Sequence, residues 1–202
     1  MVAYADYDAQ MERETGGRIE VITGPMFAGK TEELLRRVRR AVIAGQHVAV
    51  LAHAIDTRSG PNRIASHEGR DAPSVALASA DEIVAAGGDA EIVAIDEAHF
   101  FGPALVPAVT ELAARGSLVL IAGLDVTFDG EPFEPLPTLM ALAERVDKLT
   151  AICTVCGAEA GFHVRTEPAT ARTTALDPGH VGGVEKYQAR CRRHFTRPSV
   201  PF

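Results

Sequence analysis

Apolar residues along the chain fall into short continuous runs separated by amphipathic stretches. Ile19-Glu20-Val21-Ile22-Thr23 is the first run, and His47 to Ala52, Glu91 to Ile95 and Leu118 to Leu124 follow it. The last three are continuous rather than alternating, the pattern of strands covered on both faces in a parallel sheet. Thr31 to Ala44 places Leu34, Leu35, Val38 and Val42 at helical spacing, with Gly45 as its stop and Arg36, Arg37, Arg39 and Arg40 largely on the wet face. Further helices are expected over Asp81–Ala86, Ala104–Ala114 and Thr138–Lys148. Strands alternating with helices predict a doubly wound α/β sheet.

The pattern also divides the chain. Residues 1–16 are polar and aperiodic and read as a flexible tail, 17–150 as the α/β domain, and 151–202 as a smaller unit. Within that last unit, Thr166 to Gly183 is rich in Thr, Pro and Gly, as a long loop would be. There is no internal repeat.

Composition narrows the class. With 202 residues, 47% apolar and 23% charged, the chain has the make-up of a globular domain with a small appendage. No apolar run reaches the roughly 18–20 residues that span a membrane, and the N-terminus lacks a signal-peptide layout, so a cytoplasmic protein is expected. A net charge of −7 argues against a nucleic-acid binder, which would carry a basic face. It leaves room for a nucleotide site, where backbone N–H groups and one lysine suffice.

Such a site is written directly after the first strand. Gly24-Pro25-Met26-Phe27-Ala28-Gly29-Lys30-Thr31 matches G-x-x-x-x-G-K-[ST], whose backbone N–H groups curl around phosphate oxygens at a helix N-terminus. Lys30, one of only three lysines in the chain, would reach the β- and γ-phosphates of ATP, and the Thr31 hydroxyl would ligate Mg²⁺. The third strand runs into Asp96-Glu97. Adjacent carboxylates at the end of a buried strand need cationic partners, so Asp96 is expected to hold Mg²⁺. Glu97 is then available as a base, taking a proton from a substrate hydroxyl or orienting a water. Phosphoryl transfer is the class implied, with the acceptor open.

The smaller unit carries Cys153-x-x-Cys156 and Cys191-x-x-His194, separated by 34 residues. Three thiolates and one imidazole make a closed tetrahedral set suited to structural Zn²⁺, which would clip together the ends of the long loop. Loops of that length are usually functional, typically lids.

Together these residues resemble the tetrameric, zinc-containing thymidine kinases, over nearly all of Arg18 to His194. The matching segments are the phosphate loop with its Pro-Met-Phe interior, Asp56-Thr57-Arg58, Asp96-Glu97-Ala98-His99-Phe100-Phe101 and Gly123-Leu124-Asp125. They continue with Phe128, Pro132-Phe133, Lys148-Leu149-Thr150-Ala151 and Gly182-Gly183-Val184-Glu185-Lys186-Tyr187. The resemblance implies a P-loop, RecA-like parallel sheet with helices on both faces and a zinc-binding lasso domain. It implies transfer of the γ-phosphate of ATP to the 5′-hydroxyl of thymidine, with deoxyuridine second, Glu97 as general base, and a homotetramer. The lasso, about Thr166 to Glu185, would close over the thymine through its main chain at Val181, Gly182 and Gly183, with Tyr187 nearby. Met26, Phe100, Leu124, Phe128 and Phe133 would line the base pocket, with Asp56 and Arg58 near the reacting phosphate.

Three positions depart from the commoner family pattern. His99 replaces a glutamine, His163 a threonine that often contacts the base, and His53-Ala54 a Lys-Pro pair. None touches the phosphate loop, Glu97 or the zinc set, so catalysis should survive; His163 is the residue placed to retune base choice. A RecA-like ATPase acting on nucleic acid or protein is the alternative reading, opposed by the acidic balance and the lack of a basic-aromatic tract. A catalytically silent nucleotide- and zinc-binding regulator would have lost the base, whereas Glu97 is present.

Overall fold

In the computed structural model, residues 16–56, 63–65, 71–166 and 186–196 are described. Strand β1 (Arg18–Thr23) leads through the phosphate loop into helix α1 (Lys30–Ile43), and β2 (Val48–His53) follows. Three short strands come next: β3 (Arg63–Ala65), β4 (Asp71–Pro73) and β5 (Val75–Leu77). A 3₁₀ turn at Ala80–Glu82 runs into α2 (Ile83–Gly87), then β6 (Ile92–Asp96), a second 3₁₀ turn (Ala98–Phe101), α3 (Leu105–Ala114) and β7 (Leu118–Gly123). Helix α4 (Leu136–Leu142) and strand β8 (Arg145–Lys148) complete the large unit.

Six of these strands form one all-parallel sheet in the order β5-β2-β6-β7-β1-β8. The central strands are apolar on both faces because each face has its own core. On one side α2, α3 and α4 cover Val21, Leu51, Val93, Ile95, Val119 and Ile121; on the other α1 covers Ile22, Ala52, Ala94, Leu120 and Ala122. The sheet is therefore the two-sided α/β architecture expected. β1, β6 and β7 end side by side, which brings the phosphate loop, Asp96 and Gly123 to one edge.

Three expectations need correction. The helix predicted over Thr138–Lys148 stops at Leu142, and Arg145–Lys148 instead forms the parallel edge strand β8 beside β1. Four residues with three charges carry no apolar run, so the strand is specified by backbone pairing and by Arg37, not by pattern. Arg37 is the second correction: its side chain is only 11% exposed and is clasped by Glu20, Glu33 and Asp147 at 2.6–2.8 Å, tying α1 to β1 and β8. Third, Val42 lies 58% exposed and Ala41 takes its place in the core.

Beyond Leu149 the chain forms short two-stranded pairings. β9 (Ala151–Ile152) pairs with β10 (Glu159–Ala160), and β11 (Phe162–Arg165) pairs antiparallel with β12 (Tyr187–Arg190). Their common core is small: Ala151, Cys153, Ala160, Ala189 and Cys191, with Phe27 and Ala28 of the phosphate loop packed against it. Most of the tail (1–15), Thr57-Arg58, and 167–185 with Val181, Gly182 and Gly183 lie outside the described residues. No described helix is long and apolar enough to cross a membrane.

Candidate active site

The phosphate loop has the backbone its motif requires. Gly24 takes φ 140°, and a Cβ there would sit 2.3 Å from the carbonyl oxygen of Leu149, so only glycine fits. Gly29 caps α1 in the left-handed region at φ 81°, turning the loop into the helix. Phe27 is also left-handed, at φ 68°, which a side chain disfavours. Lys30 follows as the first helical residue, and its Nζ donates to the Pro25 carbonyl at 2.8 Å, folded over the loop.

Across from the loop, Asp96 ends β6 at 4% exposure. The Thr31 hydroxyl lies 3.4 Å from its Oδ1, which also accepts the Glu97 N–H at 2.9 Å. Burial, and secondarily the neighbouring Glu97 carboxylate, push the Asp96 carboxyl up to about 7; Asp56 adds a smaller push in the same direction. A carboxylate held this far from water is a site that a divalent cation would relieve. The hydroxyl and carboxylate facing each other are the hard oxygen donors that Mg²⁺ takes, so the residues present fit that ion.

Glu97 stands in the left-handed region at φ 49°, turning its carboxylate away from the strand line. The His99 ring is 2% exposed, packed against Phe100 (4.2 Å between centroids) and Phe133 (4.9 Å). Its Nδ1 accepts the Leu124 N–H at 3.3 Å, so that nitrogen carries its lone pair. The 3.6 Å approach of Nδ1 to Glu97 Oε2 is therefore packing, not an ion pair. His53, its pKa lowered by burial, packs edge-on against Phe101 at 4.7 Å, and its Nδ1 accepts the Ile55 N–H.

From the small unit, His163 faces the same region. It is 2% exposed, lies edge-on to Tyr187 at 5.8 Å, and its buried Nδ1 has no hydrogen-bond partner. Burial, with lesser repulsion from Lys30, drops its pKa to about 3, so the ring is neutral. Phe128 lies under the Arg165 guanidinium, 5.7 Å from its carbon to the ring centroid. Met26, Phe100 and Leu124 are half-buried, Phe133 and Tyr187 buried.

Sequence reasoning gave no role to Arg165, nor to the ion pair between Lys148 Nζ and Asp125 Oδ2 at 2.6 Å. Asp125 is buried, and the contact is one of charge rather than an aligned hydrogen bond. Both residues sit inside matched segments, Gly123-Leu124-Asp125 and Lys148-Leu149-Thr150-Ala151, and that was the available signal.

The four zinc candidates converge. All their ligand atoms lie within 4.8 Å of one another, among the described residues. Cys156 Sγ is 3.8 Å from Cys191 Sγ, and His194 Nδ1 is 3.3 Å and 3.7 Å from Cys191 and Cys153 Sγ. Bond lengths of about 2.3 Å to sulfur and 2.0–2.1 Å to nitrogen in a tetrahedron give about 3.8 Å between sulfurs and about 3.6 Å from sulfur to nitrogen. The residues fit zinc, with no ligand position left over for chemistry.

A parallel sheet, a glycine-built phosphate loop, an opposed Thr-Asp pair and a closed Cys₃His cluster define a P-loop nucleotide-binding protein with a zinc-binding appendage. A family profile described as thymidine kinase matches residues 17–195. The chain is 48% identical over 196 residues to the thymidine kinase of Halobacterium salinarum, covering 90% of this chain and 95% of that protein. It is 52% identical to the thymidine kinase of Deinococcus radiodurans, covering 87% and 88%, and 46% identical to that of Deinococcus deserti, covering 89% and 95%. The chain belongs to the thymidine kinase family. Among solved structures, Bacteroides Pif1 bound to ssDNA aligns at a TM-score of 0.36 and 14% identity, over 74% of this chain and 42% of that one; a likeness so slight carries no argument.

Proposed function

We propose that this protein transfers the γ-phosphate of ATP to the 5′-hydroxyl of thymidine, giving dTMP, and accepts deoxyuridine less well. The observation that carries the reading is the placement of Glu97, turned out of β6 beside an aromatic wall and one residue from the Asp96–Thr31 pair. The backbone N–H groups of Gly24 to Thr31, with Lys30, hold the phosphates. Thr31 and Asp96 hold Mg²⁺, which when bound neutralises charge on the phosphates. Glu97 accepts the proton of the 5′-hydroxyl as its oxygen attacks, and Asp56 and Arg58 flank the reacting phosphate.

Met26, Phe100, Leu124, Phe128 and Phe133 line the base pocket, with His163 and Tyr187 from the zinc unit. Val181, Gly182 and Gly183 close over the base by main chain. The closure keeps water from competing with the hydroxyl. Zn²⁺ on Cys153, Cys156, Cys191 and His194 is structural. The organisation is that of a tail (1–16), a P-loop domain (17–150) and a lasso domain (151–202), in a cytoplasmic homotetramer acting on a small molecule, not on nucleic acid. A nucleoside panel tests the acceptor: thymidine should have the highest kcat/KM, and faster turnover of deoxycytidine or deoxyguanosine would reject it.

A further inference from the structure

We infer that the zinc unit is the backrest of the phosphate loop, with Phe27 as the positioning residue that couples occupancy of the metal site to nucleotide binding. The inference rests on the reading that the loop holds ATP. It starts from a cost: Phe27 is a non-glycine residue at φ 68°, a conformation that persists only where surrounding structure enforces it. The enforcing contact comes from the small unit. Phe27 and Ala28 pack against Ala151, Cys153, Ala160, Ala189 and Cys191.

That wall is made of small side chains, so it has little stiffness of its own. Two of its five members, Cys153 and Cys191, belong to the Cys₃His cluster. With metal in place both would be fixed by bonds that also reach Cys156 and His194; without it, the wall rests on short strand pairs of two and four residues and on turn hydrogen bonds such as Thr154 N–H to the Ala189 carbonyl. The same segment seats the other end of the loop, because the Leu149 carbonyl lies where Gly24 would carry a Cβ. Residues 149–153 thus support the loop at Gly24 and at Phe27, and the metal stiffens that support.

Such coupling is reciprocal. If metal on the cysteines favours the loop conformation that takes ATP, then ATP must favour retention of metal by the same factor. The Phe27 ring donates to neither ligand set, which makes that side chain the place where the link can be cut.

The test uses the full-length zinc-loaded protein, with the rate of zinc transfer to a chromogenic chelator measured with and without MgATP. ATP affinity is measured alongside. In the unaltered protein MgATP should slow zinc release about tenfold. Phe27→Ala, still carrying one zinc, should bind ATP about tenfold more weakly, and MgATP should no longer slow its zinc release. Phe27→Leu should restore both behaviours. Phe27→Gly, which accepts the backbone angle but lacks the ring, should behave like Phe27→Ala, assigning the effect to packing. MgATP failing to protect zinc in the unaltered protein, or protecting it equally in Phe27→Ala and Phe27→Gly, overturns the inference. Were ATP not bound at all, the nucleotide reading would fail; thymidine phosphorylation without zinc protection would reject the coupling alone.

Discussion

The Thr31 hydroxyl and the Asp96 carboxylate face each other at 3.4 Å, one at the start of α1 and the other at the end of β6. The pair joins two features that lie 65 residues apart in the chain. Asp96 is a buried acid whose pKa is raised to about 7, chiefly by burial. Below the unfolded value near 4 the acid is protonated in both states and costs nothing. Between about pH 4 and 7 the unfolded chain gives up a proton that the folded chain keeps, so stability falls, and the loss is complete above 7. Asp96→Asn should therefore stabilise the ligand-free protein at pH 8 by on the order of 2 kcal/mol, about 4–8 °C in Tm, and by far less at pH 4.5. The same variant should lose Mg²⁺-dependent transfer. Thermal unfolding at the two pH values checks the sign.

His163 has the opposite dependence. Its folded pKa of about 3 lies below the usual histidine value, so between about pH 6.5 and 3 the unfolded chain takes up a proton that the folded chain refuses. Its contribution is complete above pH 6.5 and is lost as pH falls. His163→Thr should flatten the decline of stability between pH 7 and 5. In the same variant the thymidine-to-deoxyuridine ratio of kcat/KM should change by several-fold, since a small hydroxyl replaces a neutral ring with an unpartnered Nδ1. An unchanged ratio would make the residue structural.

Arg37 holds three carboxylates; on one of them, Glu33, hydrogen bonds from Arg36 first and Arg37 second lower the pKa to about 2 despite burial. Arg37→Ala removes the cation shared between β1 and β8, leaving Glu20 with Arg18 alone and Asp147 with Arg145 alone. A loss of about 1.5–3 kcal/mol follows, read as a lower urea midpoint with an unchanged slope. Arg36→Ala, on an exposed pair, should cost under about 1 kcal/mol.

Metal removal gives the next expectation. Cys156→Ser should abolish stoichiometric zinc and lower thermal stability, because the Cys153 and Cys191 thiols are buried in the small core that the metal organises. Purified protein without bound zinc, at full activity, would contradict the assignment.

The parts of the site that were legible from sequence share a cause. The phosphate loop, the Asp-Glu pair after a buried run and the two metal pairs are local patterns, in which chemistry demands fixed residue types at fixed spacing. Arg37 was read as solvated because its partners Glu20 and Asp147 sit 17 and 110 residues away, and no helical period shows a cross-sheet ion cluster. β8 was read as helix because Leu139 and Leu142 continue a helical spacing into Arg145–Lys148, where only pairing with β1 selects a strand. The packing of Phe27 on the zinc unit joins residues more than 120 positions apart, so it too was invisible.

The most direct test of the account is γ-phosphate transfer from ATP to thymidine by the unaltered protein and by Glu97→Gln, with ATP binding measured in both. The account predicts transfer to the 5′-hydroxyl, a fall in kcat of about 10²–10⁴-fold in Glu97→Gln, and ATP affinity kept within a few-fold. Thymidine-independent hydrolysis by the unaltered protein, or undiminished transfer by Glu97→Gln, would contradict it.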